Sequence, residues 1–326
     1  MKRRTLALLL SAALALTLAA CGGDSGTSQP PASSSESPAA GSEAPVESEA
    51  PTVEIPPVED LTGVDTSAIP GVEDGVLTVG MECTYAPYNW TQTDDSNGAV
   101  PISNNPGSYA NGYDVMIAQR ICDEYGWELE VMALEWGGLT AGLQSGTIDV
   151  AIAGQSMTAE RMAEVDMAGP YYYATIVCVT TADSPNASAA SIQDLTGACT
   201  AQSGTIWYDT CLPQIEGAEI QSPADTAPAM VMALQSGTVD FICTDLPTAS
   251  AAAAKNDDLV ILNFEGTDGD FQFATEEERA ENVNIGMSVV KGNTSLLDAL
   301  NSYLSTMTAD DFNALMDEAI AVQPEI

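Results

Sequence analysis

The chain has 326 residues, 45% of them hydrophobic, and sets 8 Lys and Arg against 47 Asp and Glu, for a net charge of -39. That length suits two lobes of roughly 100 to 150 residues, while so acidic a surface excludes nucleic acid as a partner, because phosphate binding needs a basic face. Histidine is absent, which removes Ser-His, Cys-His and His-metal chemistry together.

At the N-terminus Lys2, Arg3 and Arg4 precede an uncharged Leu- and Ala-rich run from Thr5 to Ala20. It is too short to span a bilayer comfortably and reads as a signal peptide over residues 1–20. Leu18-Ala19-Ala20-Cys21-Gly22 resembles the lipobox of bacterial lipoproteins, which implies a lipid on Cys21 and an extracytoplasmic, membrane-anchored chain. From Gly22 to about Asp60 the chain is Ser, Pro, Glu, Ala and Gly. Such a segment cannot bury enough apolar surface to offset its ordering entropy, so residues 21–70 are expected to be a disordered tether. As a flexible coil it reaches roughly 35 Å.

The folded part begins near Gly71. Val76 to Met81 reads as a buried strand running into a loop marked by Pro87, and Thr91 to Asn111 as a long hairpin or surface excursion. Tyr113 to Gly126 has helical spacing, with Asp114 as a cap. Glu128 to Leu134 reads as a strand, Leu139 to Gln144 as a short helix and Ile148 to Ala153 as a strand. This alternation is the signature of parallel α/β construction.

The same grammar returns after a linking strand, Thr175 to Thr181. Strands are expected at 198–202, 218–221, 239–244 and 259–264, and helices from Gly204, at 224–235 and at 247–255. A strand at 285–290 and helices at 294–307 and 309–321 return to the first lobe. The expected division is 71–174 plus 276–326 for lobe 1 and 175–275 for lobe 2, with two chain crossings as a hinge.

One repeat sharpens this. Leu143 to Gly154, LQSGTIDVAIAG, is matched by Leu234 to Asp245, LQSGTVDFICTD. Such a repeat means two lobes of similar build, and in register Gly154 closes one strand and Asp245 the other. Ligands of open α/β sheets sit beyond the carboxyl ends of strands, so both positions face the cleft. Asp149 and Asp240, at the opposite strand ends, are expected to fix loops.

Gly112-Tyr113-Asp114-Val115, Trp136, Leu143 to Asp149, Thr158-Ala159-Glu160-Arg161, Gly169-Pro170-Tyr171 and Ser203-Gly204-Thr205 together resemble the family 3 extracellular solute-binding proteins of amino-acid ABC importers. The resemblance implies a two-lobed α/β fold of the periplasmic-binding-protein type II class, with a two-crossing hinge and the ligand in the interlobe cleft. It also implies a monomer that binds a free amino acid and delivers it to ABC permease subunits, with no cofactor and no catalysis. The long 91–111 insert departs from the family pattern and leaves the rim of the cleft open to revision.

The site expected from the residues and the resemblance is as follows. Thr158 caps the helix after Gly154 to Met157, making that turn an anion site, and Arg161 adds a planar fork matched to the ligand's carboxylate. Gly204 and Thr205 take the carboxylate's other face. The resemblance gives Asp245 the ligand's α-ammonium, shared with Ser156 and the Gly154 carbonyl. Tyr85 and Trp136 correspond to aromatics that sandwich the ligand's side chain, and Glu82 reaches toward it, with Asn89 and Trp90 as weaker candidates. No cation but Arg161 falls in a cleft motif, so polar neutral or cationic amino acids are favoured over acidic ones.

The alternative reading is an exported dehydratase-like enzyme on the same scaffold, with Glu82 as its general acid or base. A membrane-spanning sensor is disfavoured, because nothing after Cys21 is long and apolar enough to cross a bilayer. Of the seven cysteines, Cys21 aside, no CxxC occurs. Most read as buried free thiols, with a Cys199–Cys243 bridge as the alternative.

Overall fold

A computed structural model describes residues 68–324. The signal peptide, Cys21 and nearly all of the 21–70 tether lie outside the described residues. No helix among the described residues is long and apolar enough to cross a membrane.

Two five-stranded sheets carry the fold. The first contains β1 (Val76–Met81), β6 (Glu128–Ala133), β7 (Val150–Ser156), β8 (Val165–Tyr173) and β14 (Asn284–Val290), in the order β6-β1-β7-β14-β8. The second contains β9 (Ile176–Thr181), β10 (Thr196–Thr200), β11 (Gly217–Ile220), β12 (Phe241–Asp245) and β13 (Leu259–Asn263), in the order β11-β10-β12-β9-β13. In each, three parallel strands are followed by one that runs antiparallel to both its neighbours and a fifth that is parallel to the first three. The chain leaves the first sheet after Tyr173 and re-enters it at Asn284. This is the two-lobed α/β architecture expected from the repeat.

The repeated segments occupy equivalent places. β7 and β12 are the third strands of their sheets and are buried along their whole length, as central parallel strands covered on both faces must be. Asp149 accepts a hydrogen bond from the Thr78 N–H of β1 and Asp240 one from the Ala198 N–H of β10, each 2.8 Å. Both acids therefore tie a central strand to its neighbour, at the end away from the site.

Of the helices, α1 (Tyr113–Tyr125) is ended by the left-handed Gly126. α2 (Leu139–Ser145) precedes β7, and α3 (Ala159–Glu164) is capped by the Thr158 hydroxyl on the Arg161 N–H, 3.2 Å. α4 (Ala227–Gln235) and α5 (Leu246–Lys255) flank β12, while α6 (Glu276–Val283) leads into β14. α7 (Thr294–Leu304) and α8 (Ala309–Val322) finish the described chain, α8 through a Thr308–Asp311 capping box.

Three local expectations change. Asp114 does not cap α1: Gly112 holds that position at φ 124°, where a Cβ would strike the Tyr88 carbonyl, and Asp114 turns inward instead. Residues 204–214 form a π turn (Trp207–Cys211) and a short 3-10 turn rather than a regular helix, and β8 and α6 went unread.

The 91–111 insert, together with the residues just before it, builds a small antiparallel sheet of β2 (Thr84–Tyr85), β3 (Asn89–Gln92), β4 (Val100–Pro101) and β5 (Tyr109–Asn111), in the order β2-β3-β5-β4. It lies along the outer strand of the first sheet: the Ser103 N–H donates to the Val131 carbonyl, and Asn104 bonds both the N–H and the C=O of Ala133. None of residues 91–111 lines the cavity described next, although Tyr85 of β2 does. All six cysteines among the described residues are unpaired and buried, and Cys178 faces Cys243 across β9 and β12.

Candidate functional site

A cavity of about 550 Å³ is walled by the carboxyl end of β7, the first turns of α3, the 202–210 turns of the second lobe and one face of α6. Of the residues expected at the site, Tyr85, Trp136, Gly154, Ser156, Arg161, Gly204 and Thr205 line it. Asp245 and Glu82 stand one layer behind.

Arg161 supplies the positive charge of the wall. Its Nη1 donates to the Ser156 carbonyl, and its guanidinium carbon lies 5.5 Å from the centre of the half-buried Trp136 ring. Burial pulls its pKa down to about 10, against an opposing pull from Glu160. It is nonetheless a fixed cation, and among the described residues no carboxylate forms an ion pair with it; Arg120, Arg279 and Lys291 each have one. A half-buried guanidinium with free N–H groups facing a cavity is arranged for an incoming carboxylate.

Gly154 has φ 64°, and a Cβ there would lie 2.7 Å from the Tyr85 ring, so the turn and the ring need each other's space. A buried chain holds this turn from below. The Gly154 N–H donates to the Tyr171 hydroxyl (3.0 Å), which donates to Asp114 (2.6 Å). The amide of Asn89 also donates to Asp114 (2.8 Å), and its oxygen accepts from the Cys83 N–H (2.7 Å). Asp114 thus fastens the two backbone turns of the first lobe's wall to one carboxylate. Burial raises its pKa to about 6, and the Tyr171 and Asn89 donors keep it from rising further. Asn89 is a positioning group, and Trp90 is buried without lining the cavity.

Asp245 is 1% exposed and serves as the N-cap of α5. It accepts from the Thr248 N–H (2.9 Å), the Thr248 hydroxyl (3.0 Å) and the Tyr85 hydroxyl (2.7 Å). Capping and ligand contact are thus not exclusive, because a carboxylate has room for about four donors. Burial raises its pKa. Glu82 accepts from the Gln202 amide at 3.3 Å across the cleft. Burial pushes its pKa up to about 7, with the Gln202 bond opposing.

Gln155, Gln202, Trp207 and Asn282 also line the cavity and were not anticipated. Gln202 adjoins the Ser203-Gly204-Thr205 turn and was within reach of the repeat argument. Asn282 lies on α6, whose signal was Thr275 followed by three glutamates, the pattern of a capped helix start. The charged lining is otherwise acidic: Glu160, Glu164, Asp209, Glu278 and Glu281 surround Arg161. The Thr205 hydroxyl is engaged with the Gln202 carbonyl, 2.8 Å.

The sequence is 28% identical over 236 residues to the L-cystine-binding protein TcyA of Bacillus subtilis, covering 72% of this chain and 77% of that one. The fold is similar to the crystal structure of a substrate-binding protein of an amino acid ABC transporter, with TM-score 0.59, 27% identity and coverage of 74% and 98%. It is also similar to an arginine-bound form of a truncated ArgBP from T. maritima, with TM-score 0.57, 28% identity and coverage of 72% and 98%. Residues 77–320 match the bacterial extracellular solute-binding proteins, family 3, and with the site at the carboxyl ends of its strands this chain belongs to that family.

Proposed function

We propose that this chain binds one free amino acid between its lobes, taken as 71–174 with 276–326 and 175–275, and hands it to the membrane subunits of an ABC importer. The observation that carries this is Arg161, a half-buried guanidinium in the cavity wall with no acidic partner among the described residues. The amino acid's carboxylate lies on Arg161, with the Gly204–Thr205 turn on its other face. Its ammonium goes toward Asp245, Ser156 and the Gly154 carbonyl, and its side chain lies between Tyr85 and Trp136. Two lobes that both contact the same zwitterion are drawn together by it.

The acidic lining favours a cationic or polar neutral side chain over an acidic one. Arginine- and cystine-binding relatives take ligands of this kind, although a glutamate-binding protein is also among the relatives. A thermal-shift screen of the twenty amino acids at pH 6 and pH 8 tests the reading, since a ligand specific to the native state raises its melting temperature. One or a few non-acidic amino acids should give a shift, and no shift with any of them would sink the assignment. Glu82 adds a pH signature. Its ionised form is the better partner for a cation and is populated as pH rises through about 7, so a cationic ligand binds more tightly at pH 8 than at pH 6. Glu82→Gln flattens that difference.

A second reading, a dehydratase-like enzyme, draws on the same Glu82, which keeps its proton near neutral pH as a general acid must. Turnover of a prephenate-like acid that is lost in Glu82→Gln would favour it.

The body is exported and held to the outer face of a membrane by a lipid on Cys21, with residues 22–70 as its tether. Intact-mass measurement of the mature chain should give a diacylated N-terminal cysteine, and Cys21→Ser should abolish it. An unmodified chain beginning at Cys21 would overturn the anchor.

A further inference from the structure

Asp245 holds three protein donors, and the donor nearest the cavity is not part of its own lobe. Thr248 supplies two bonds from within α5, as any N-cap would receive. The third, 2.7 Å long, comes from the Tyr85 hydroxyl on β2 across the cleft. Tyr85 lines the cavity and Asp245 does not. The phenol therefore stands between the ligand space and the one buried carboxylate at the end of β12.

The ring itself is held by the first lobe. It stacks on Tyr88 with centroids 4.9 Å apart and rests against Gly154 so closely that a Cβ there would lie 2.7 Å from it. Its hydroxyl is thus aimed by one lobe at an acceptor on the other. The bond is also an unequal one: a neutral donor on a buried carboxylate that has no cation beside it. A charged N–H donor makes a bond roughly twice as strong as a neutral one, so an ammonium arriving in the cavity is the better partner.

Resting on the reading that the ligand's ammonium belongs to Asp245, we propose that the Tyr85 hydroxyl is a displaceable stand-in for that ammonium. It satisfies Asp245 while the site is empty and yields the position when an amino acid binds. The empty site then keeps a third donor on its buried carboxylate beside the two from Thr248, and its ligand must compete with an internal donor. Tyr85 acts on the ligand twice, through its ring as a packing surface and through its hydroxyl as a competitor, and only the second role is separable by mutation.

Tyr85→Phe keeps the ring and removes the competitor. Calorimetry is run with whichever of the twenty amino acids raises the wild-type melting temperature most. The variant is expected to bind it about tenfold more tightly, the scale of one hydrogen bond to a charged group. The ligand-free variant should melt lower than wild type, while the two should melt together at saturating ligand. Unchanged or weaker affinity overturns the proposal, as does an equal drop in melting temperature in both states, which marks a bond retained in the complex. Asp245→Asn separates this failure from failure of the parent reading. If binding survives that change, the ammonium is not on Asp245. If binding is lost there but Tyr85→Phe does not tighten it, only the stand-in role falls.

Discussion

Arg161→Ala lowers the affinity for the bound amino acid by about 30-fold to about 4,000-fold, corresponding to about 2 to 5 kcal/mol. The size follows from what is left behind. The ligand's carboxylate enters a cavity whose other charged lining is acidic, so without the guanidinium it is both unpaired and repelled. Trp136 loses the cation over its face at the same time. Arg161→Lys keeps the charge but loses the planar fork that also reaches the Ser156 carbonyl, and recovers only part of the affinity. Because Arg161 has no ion-pair partner among the described residues, the alanine variant should fold and melt near wild type when ligand-free. Calorimetry that finds the affinity unchanged would remove Arg161 from the site.

The largest effect on stability is expected at Asp114. Asp114→Ala strands the Tyr171 hydroxyl and the Asn89 amide in a fully buried place. At about 1 to 3 kcal/mol for each of the two unsatisfied donors, the loss is about 2 to 6 kcal/mol, a large share of a stability that is about 5 to 15 kcal/mol in all. Denaturant unfolding measures it, and a loss below about 1 kcal/mol would mean that the chain from Gly154 to Cys83 closes through other groups. The pH dependence has a definite sign. Folding raises the Asp114 pKa from 3.8 to about 6, so between those values the native state holds a proton that the unfolded state has lost. The unfolded state then binds fewer protons, and this group's contribution falls as pH rises from about 4 to about 6. Asp114→Asn, which cannot ionise, removes that slope.

Asp114 also marks where reading the sequence stops. A carboxylate beside a helix start has the local signature of a cap, and nothing within a few residues says otherwise. Its real partners, Asn89 and Tyr171, lie 25 and 57 residues away in sequence and meet it only when β3, α1 and β8 are packed. The bonds Gln202–Glu82 and Tyr85–Asp245 span 120 and 160 residues and were invisible for the same reason. What was legible was periodic or repeated. The LQSGT segments placed β7 and β12 in equivalent positions, and their terminal residues pointed to both sides of the cleft before any strand order was known. Thr158 and Arg161 were legible because a cap and its helix are one local unit. α6 was missed although Thr275 and its glutamates announced it; the polar sequence offered no apolar stripe to follow, and only Val283 is buried.

The insert at 91–111 has a meaning separate from ligand binding. An open sheet ends in a row of unpaired backbone groups, which is where chains add to one another edge to edge and where fibrils take hold. Here the outer strand of the first sheet meets Ser103 and Asn104, and the Asn104 amide occupies both backbone groups of Ala133 in the manner of one more strand residue. The excursion that looked like an elaboration of the cleft is a blunted hem, and it closes that side of the sheet to edge-to-edge templating by another copy of the chain.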